Sequence, residues 1–299
     1  MIDWYIVLTP LLVLPILLLF RFVGCDVVFG LTGGSYSQLL LNVSSLVAYW
    51  RLGDLNDDPQ AKDEKGLHHG IYGEPPATGP NPPSQAASGE ALQGQPGLIK
   101  DETDRKSVDF QGGYVVVPFA AALDTPSFTV EAWVFPGDWQ PGNHHAVFNS
   151  GESDGPTVRG SSLIALWNDA QQKAFWSAAL GTSAGVVTIS GLEVKSPATK
   201  TYLALTHDAA SGTATFYVAT RGDDWHLLQT QSVSDYQPAQ FNTLYIGAAH
   251  VALPAQPLPP PAPPVDFPFI GRIQEVALYN QAISRHLLEG HRQVGISGL

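Results

Sequence analysis

The sequence predicts an all-β protein built as a sandwich of two antiparallel sheets, and three observations predict it. The segment Ser127–Pro136 sets Phe128, Val130, Ala132 and Val134 on one side and Thr129, Glu131 and Trp133 on the other. That two-residue period, ended by a proline, is the pattern of a half-buried strand. Gly 29 and Pro 24 punctuate a chain of 299 residues that is 44% hydrophobic but only 14% charged, a composition of many short strands joined by turns. Strand-like runs of the same kind then recur at roughly 8–12-residue intervals, the spacing of a sandwich.

The amino-terminal run Trp4–Phe20 is apolar but for Thr9, Pro10 and Pro15. At about 1.5 Å rise per residue it is near the lower limit for crossing a hydrocarbon core. The expectation is one transmembrane helix within residues 1–31, with Trp4 and Tyr5 at the interface and Arg21 flanking the far side. A cleaved signal peptide wants positive charge ahead of its apolar stretch, where this chain has Asp3. A lipoprotein signal ending Phe22-Val23-Gly24-Cys25 is interrupted by Arg21. Taken alone, Arg21 would hold the bulk of the chain in the cytoplasm. The expectation is nevertheless a single-pass anchor in a bacterial inner membrane, with the β-domain on the periplasmic side.

Residues 32–46 read as a linker and residues 47–296 as the sandwich domain. Leu46–Leu52 is its first strand, followed by the acidic stretch Asp54–Glu64. Gly73–Gly97 is loaded with Pro, Gly, Ala and Ser and reads as a surface excursion without a strand of its own. Strands are expected at Ser107–Phe110, Tyr114–Pro118, Phe128–Phe135, Ala146–Asn149, Ser162–Trp167, Ala174–Leu180 and Val186–Ser190. Tyr202–His207 and Thr213–Ala219 form a hairpin through Asp208–Gly212, and Trp225–Thr230 and Thr243–Gly247 continue the series. Pro254–Pro268 is a stiff, extended tip. Phe269–Tyr279 closes the sandwich, and Ser284 caps a short helix through His291 that docks by Leu287 and Leu288.

Charge and cysteine content narrow the function. A net charge of -12, with 15 Lys plus Arg scattered along the chain, argues against a phosphate backbone as partner, because that affinity comes largely from grouped cations. The single cysteine, Cys25, allows no internal disulfide, which suits a bacterial protein better than a small animal ectodomain.

Six stretches carry a resemblance: Val47–Asp54, Ala61–Gly66, Val108–Gly112, Phe128–Val134, Leu203–Asp208 and Phe269–Ser284. In order and spacing the chain resembles a LamG-like jelly roll of the concanavalin A-like lectin/glucanase superfamily over Val47–Val294. The resemblance implies a two-sheet jelly roll that presents a surface to a sugar or a protein. It also implies a structural calcium between the acidic turn and an acid of the closing strand, at Asp63 and near Gln274. This chain departs there, with Gln274 where an aspartate is common and Glu275 beside it, so Asp63 and Glu275 are the calcium candidates.

Other constellations fail on spacing. Gly151-Glu152-Ser153-Asp154-Gly155 spells a nucleophile elbow, but Pro156–Gly160 cannot open the long helix it needs, so a hairpin loop is expected. The Glu-x-Asp-x-x-Glu strand that glucanases of this fold share is absent, since Glu152-x-Asp154 ends at Thr157. Asp54–Asp58 begins like an EF-hand loop, yet Pro59 and Lys65 stand where glycine and glutamate are required. The pairs His68-His69 and His144-His145 have no metal spacing, and Arg221-Gly222-Asp223 and Leu258–Pro264 are short spellings that turns and proline runs produce freely. Aromatic rings are the better surface candidates: Trp139, flanked by Gly and Pro, and Trp133 could stack on a sugar face. The reading is a non-catalytic, membrane-anchored binding or scaffolding module for a glycan or protein. Its alternative is an accessory subunit of a respiratory or photosynthetic type of membrane complex, docked through the first helix.

Overall fold

The computed structural model describes residues 35–54, 58–73, 89–100, 106–154, 157–195, 199–220, 226–249 and 266–297. Trp4, Tyr5, Arg21, Cys25, the Arg221-Gly222-Asp223 tripeptide, Trp225 and the proline-rich stretch from Pro254 to Pro264 lie outside them. Among the described residues no helix is long and apolar enough to cross a membrane.

In chain order the elements begin with α1 (Tyr36–Leu41), β1 (Leu46–Trp50), β2 (Gln60–Ala61), β3 (Gly70–Gly73), β4 (Glu90–Pro96), β5 (Lys106–Gln111), β6 (Tyr114–Val117), β7 (Phe128–Pro136) and β8 (His145–Asn149). They continue with β9 (Glu152–Asp154), β10 (Thr157–Arg159), β11 (Ser161–Asn168), β12 (Lys173–Thr182), β13 (Gly185–Glu193), β14 (Thr201–Asp208) and β15 (Thr213–Thr220). The last are β16 (His226–Ser232), β17 (Leu244–Ile246), β18 (Ile270–Tyr279) and α2 (Arg285–Ser297).

One sheet runs β16-β15-β14-β7-β18-β5-β4, and the other runs β13-β12-β11-β8-β17-β6-β3-β2. In the first sheet β18 keeps β7 along one side and divides the other, pairing β5 through Ile270–Ile273 and β1 through Val276–Tyr279. A bulge between Gln274 and Ala277 marks the change of partner, with Glu275 at φ 58. Apolar side chains from both sheets, among them Trp50, Phe110, Val130, Val134, Leu203, Val115, Leu163 and Ile246, meet in the core between them. The two-sheet antiparallel sandwich expected from the sequence is therefore present.

The alternation in β7 is as read: Phe128, Val130, Ala132 and Val134 enter the inter-sheet core. Its other face is not solvated, because Trp133 and Glu131 are 1% and 0% exposed. A second apolar cluster covers that face, with Tyr36 and Leu40 of α1 and Leu287 and Leu288 of α2 over Tyr49, Trp133, Tyr202 and Tyr279. Three sequence readings change accordingly. The stretch read as a linker carries α1, held by a capping box in which Ser35 Oγ accepts from Gln38 N and Gln38 Oε1 accepts from Ser35 N. The closing helix is capped by Ser284 as expected but runs on to Ser297, since His291, Arg292 and Gly295 are also buried. Within the stretch read as an excursion, Glu90–Pro96 is a strand; an edge position tolerates the Gly94 and Pro96 that disqualify an inner one.

Trp133 explains a glycine in the middle of α2. A Cβ on Gly295 would lie 2.6 Å from Trp133 Cζ2, whereas a Cβ on Gly290 would meet nothing within 4 Å. Gly290→Ala should therefore stabilise the protein by about 0.5–1 kcal/mol through helix propensity. Gly295→Ala, made in the same helix, should destabilise it by about 1–3 kcal/mol through overpacking. Chemical denaturation of the two variants reads the opposite signs.

Glu131 is the polar centre of the covered face. Its carboxylate accepts from Tyr202 Oη, from Tyr279 Oη at 2.5 Å and from His291 Nδ1 at 3.0 Å. Burial pushes its pKa up, but the charge and hydrogen bond of His291 and the two phenols more than offset this and hold it below the usual glutamate value. A depressed folded-state pKa stabilises the protein above the unfolded pKa, and that stability is lost as pH falls through the folded value. His291→Leu removes one of the three donors to the buried carboxylate and should cost about 1–3 kcal/mol at neutral pH. Burial then dominates Glu131, so the deficit should shrink as pH is lowered toward about 5, as read by urea midpoints.

Candidate functional site

At one flank β4 ends one sheet and β3 and β2 end the other, with β3 and β4 facing each other across the sandwich. A cleft of about 420 Å³ lies there, lined by Asp58 and Pro59 of the acidic turn, Tyr72 of β3, and Ala91, Leu92, Gln93 and Gln95 of β4. The pairing of β4 with β5 shifts register between Leu92 and Gln95, and Gly94 sits at φ 71. A bulge of this kind bends an edge strand and re-aims its side chains. Here Gln93 reaches across the flank, donating from Nε2 to the Asp58 carbonyl at 2.6 Å, and Gln95 Nε2 donates to the Gln93 carbonyl at 3.2 Å. Gln93 Oε1 is left buried without a hydrogen-bond partner among the described residues.

On the opposite wall Tyr72 Oη donates to Asp54 Oδ2 at 2.9 Å, and Lys62 Nζ lies 2.8 Å from Asp58 Oδ2. Burial pushes the Asp54 carboxyl above its ordinary pKa, partly offset by Tyr72 and Lys62. The hydrogen bond of Lys62 holds the partly exposed Asp58 below the ordinary value. The cleft thus combines amide and carboxylate oxygens with a phenol ring and the apolar sides of Pro59, Ala91 and Leu92. Such a surface can hydrogen-bond hydroxyl groups while packing against an aliphatic ring face.

The calcium candidates have other duties. Asp63 is 2% exposed, and its two carboxylate oxygens accept four backbone N–H groups, from Tyr49, Lys65, Leu67 and His68, at 2.8–3.1 Å. With Gly66 at φ 79 and its N–H on the Asp63 carbonyl at 2.8 Å, this closes a tight turn. Glu275 accepts from Tyr49 Oη and from Gln274 Nε2, and Gln274 Oε1 in turn accepts from Leu98 N. Oxygens surrounded by donors do not fit a calcium ion, which needs several free oxygen ligands. Among the described residues no group of three His, Cys, Asp or Glu could hold a metal. Chelation with EDTA should leave the unfolding temperature unchanged. Asp63→Asn, which turns an NH2 group toward backbone donors, should cost about 2–4 kcal/mol by urea denaturation.

The tryptophan candidates separate. Trp133 is buried beneath the helices, its Nε1 donating to Tyr36 Oη at 3.2 Å, and cannot stack on a ligand. Trp139 is half-buried and already engaged: its Nε1 donates to the Ile270 carbonyl at 2.6 Å, its ring stacks on His145 at 4.3 Å, and the edges of Trp176 and Phe269 lie within 6 Å. His145 is itself structural, donating from Nδ1 to the Pro268 carbonyl, and burial pushes its pKa down to about 4. His69 Nδ1 accepts from Asp63 N at 3.1 Å, which ties it to the acidic turn. The nucleophile-elbow spelling falls on the β9–β10 hairpin. The membrane-anchor residues Trp4, Tyr5 and Arg21 lie outside the described residues.

Sequence reading missed the cleft, because its walls come from segments far apart in the chain. The glutamine-rich run Gln93-Gly94-Gln95, polar residues around a glycine, was the one local signal of a bulged edge.

A family model described as the concanavalin A-like lectin/glucanases superfamily matches residues 109–287. Among solved structures, the Trypanosoma rangeli sialidase in complex with 2,3-difluoro-KDN is similar at 16% identity and TM-score 0.47, over 85% of this chain and 33% of the sialidase chain. This chain therefore spans about a third of that enzyme's length. The CBM40 of the Ruminococcus gnavus IT-sialidase, bound to α2,3-sialyllactose, is similar at 12% identity and TM-score 0.41, over 56% of this chain and 83% of that one. The SAP-like pentraxin of Limulus polyphemus is similar at 11% identity and TM-score 0.38, over 62% and 74%. No curated protein matches the sequence.

Proposed function

Because the chain belongs to the concanavalin A-like lectin/glucanases superfamily, we propose that its sandwich is a non-catalytic module that binds a glycan in the edge cleft. The observation that carries the reading is the cleft itself, where amide and carboxylate oxygens and a tyrosine ring meet in one solvent-open groove. Sugars are recognised by such sets, since each hydroxyl both donates and accepts while the ring face stays apolar.

The absence of catalysis is part of the proposal, and it rests on how the buried acids are used. Asp124 accepts from Tyr236 Oη, Ser150 Oγ and Ala239 N, and burial pushes its pKa up to about 6. Glu152 accepts the backbone N–H groups of Gln240, Phe241 and Asn242 at 2.8–3.0 Å, holding that loop in place. Glu131, Glu275 and Asp63 are engaged as described above. These five carboxylates fix the fold, and none of them lines the cleft.

The module is held outside the cytoplasm by an anchor formed from the apolar run Trp4–Phe20. Recovery of the full chain from the membrane fraction only with detergent supports the anchor, and recovery without detergent opposes it. For the site, an array of immobilised glycans followed by calorimetry should give binding that Gln93→Ala weakens by about 1–2 kcal/mol, roughly 5–30-fold. Stoichiometric copurification with membrane subunits, together with a silent array, would favour the accessory-subunit reading.

A further inference from the structure

Resting on that reading, we infer that the cleft takes sugars without acid groups, neutral or amino sugars, and rejects sialylated, uronic or sulfated ones. Among the described residues, the one charged side chain that lines the groove is a carboxylate. Asp58 lines it, Asp54 stands behind Tyr72 on the same wall, and no arginine, lysine or histidine is among the described lining residues. The near cation, Lys62, is paired with Asp58 at 2.8 Å.

The neighbouring guanidinium groups are committed elsewhere. Arg272 donates to the Pro96 carbonyl at the end of β4 and lies 4.5 Å over the Phe135 ring, and Arg51 faces Glu64 at 3.9 Å. A sugar acid is ordinarily recognised by a bidentate arginine fork, and none is present among the described residues of this groove. What it offers instead are the carboxylate oxygens of Asp58 and the side chain of Gln95, above the buried and unpartnered amide oxygen of Gln93. These acceptors suit hydroxyl and ammonium donors. The overall charge of -12 adds a field that repels anions before contact.

The test is the full chain in detergent, assayed on an array of neutral, amino and acidic glycans at low and high salt, beside Gln93→Ala, Gln95→Ala and Asp58→Asn. The hits should lack acid groups. A hit extended by one carboxylate should bind about tenfold more weakly at low salt, a penalty that shrinks at high salt and in Asp58→Asn. Binding of acidic glycans that Gln93→Ala or Gln95→Ala abolishes would overturn the charge selection while leaving the cleft as the site. A silent array, or hits untouched by both glutamine variants, would overturn the cleft reading and this inference with it. Unchanged unfolding temperatures in the glutamine variants separate loss of binding from loss of fold.

Discussion

A carboxylate in the middle strand of a sheet cannot stay buried without donors, and the outer face of the first sheet is organised around meeting that need at Glu131. Tyr202 comes from β14, Tyr279 from β18 and His291 from α2, so one acid ties two strands and the terminal helix together. Once α2 is drawn onto the sheet, Trp133 is covered, Gly295 has to be a glycine, and α1 finds an apolar surface for Tyr36 and Leu40. A face that would otherwise be solvated becomes a second core. Polar side chains are kept instead at the flank, on the edge strands where the two sheets end.

The buried acids of the sandwich respond to pH in opposite directions, which follows from their partners. Glu131 has a histidine beside its two phenols and is held low, so its contribution fades as pH falls through the carboxylate range. Asp124 has only neutral donors, and burial raises it to about 6. Its ionisation therefore costs stability above that pH, and the cost disappears on acidification. Both act on the scaffold, since Asp124 secures Tyr236 and Ala239 while Glu131 secures α2.

Much of the sandwich is legible in the sequence, because inter-sheet burial imposes a two-residue period on strands such as β7, β14 and β18. What escapes is whatever depends on a second partner. β4 carries no β-branched residue, and only its place beside β5 makes it a strand. The Ser35/Gln38 capping box is written in the sequence, yet α1 is too short to announce itself by periodicity. Asp63 is recognisable as an important acid of the turn, but its role depends on four backbone N–H groups that converge only after folding. The cleft is the extreme case, since Tyr72 and Gln93 line it together only because β3, beside the short edge strand β2, and β4 lie on one flank.

The proposed function requires a sandwich that holds its ligand at the flank between β3 and β4. Side-chain amide resonances followed by NMR during titration with a neutral oligosaccharide test it most directly. The NH2 signals of Gln93 and Gln95 should shift saturably, while the indole N–H of Trp133 and the amides of α2 stay still. Shifts confined to the Trp139 cluster or to α2, with both glutamines unmoved, would contradict it.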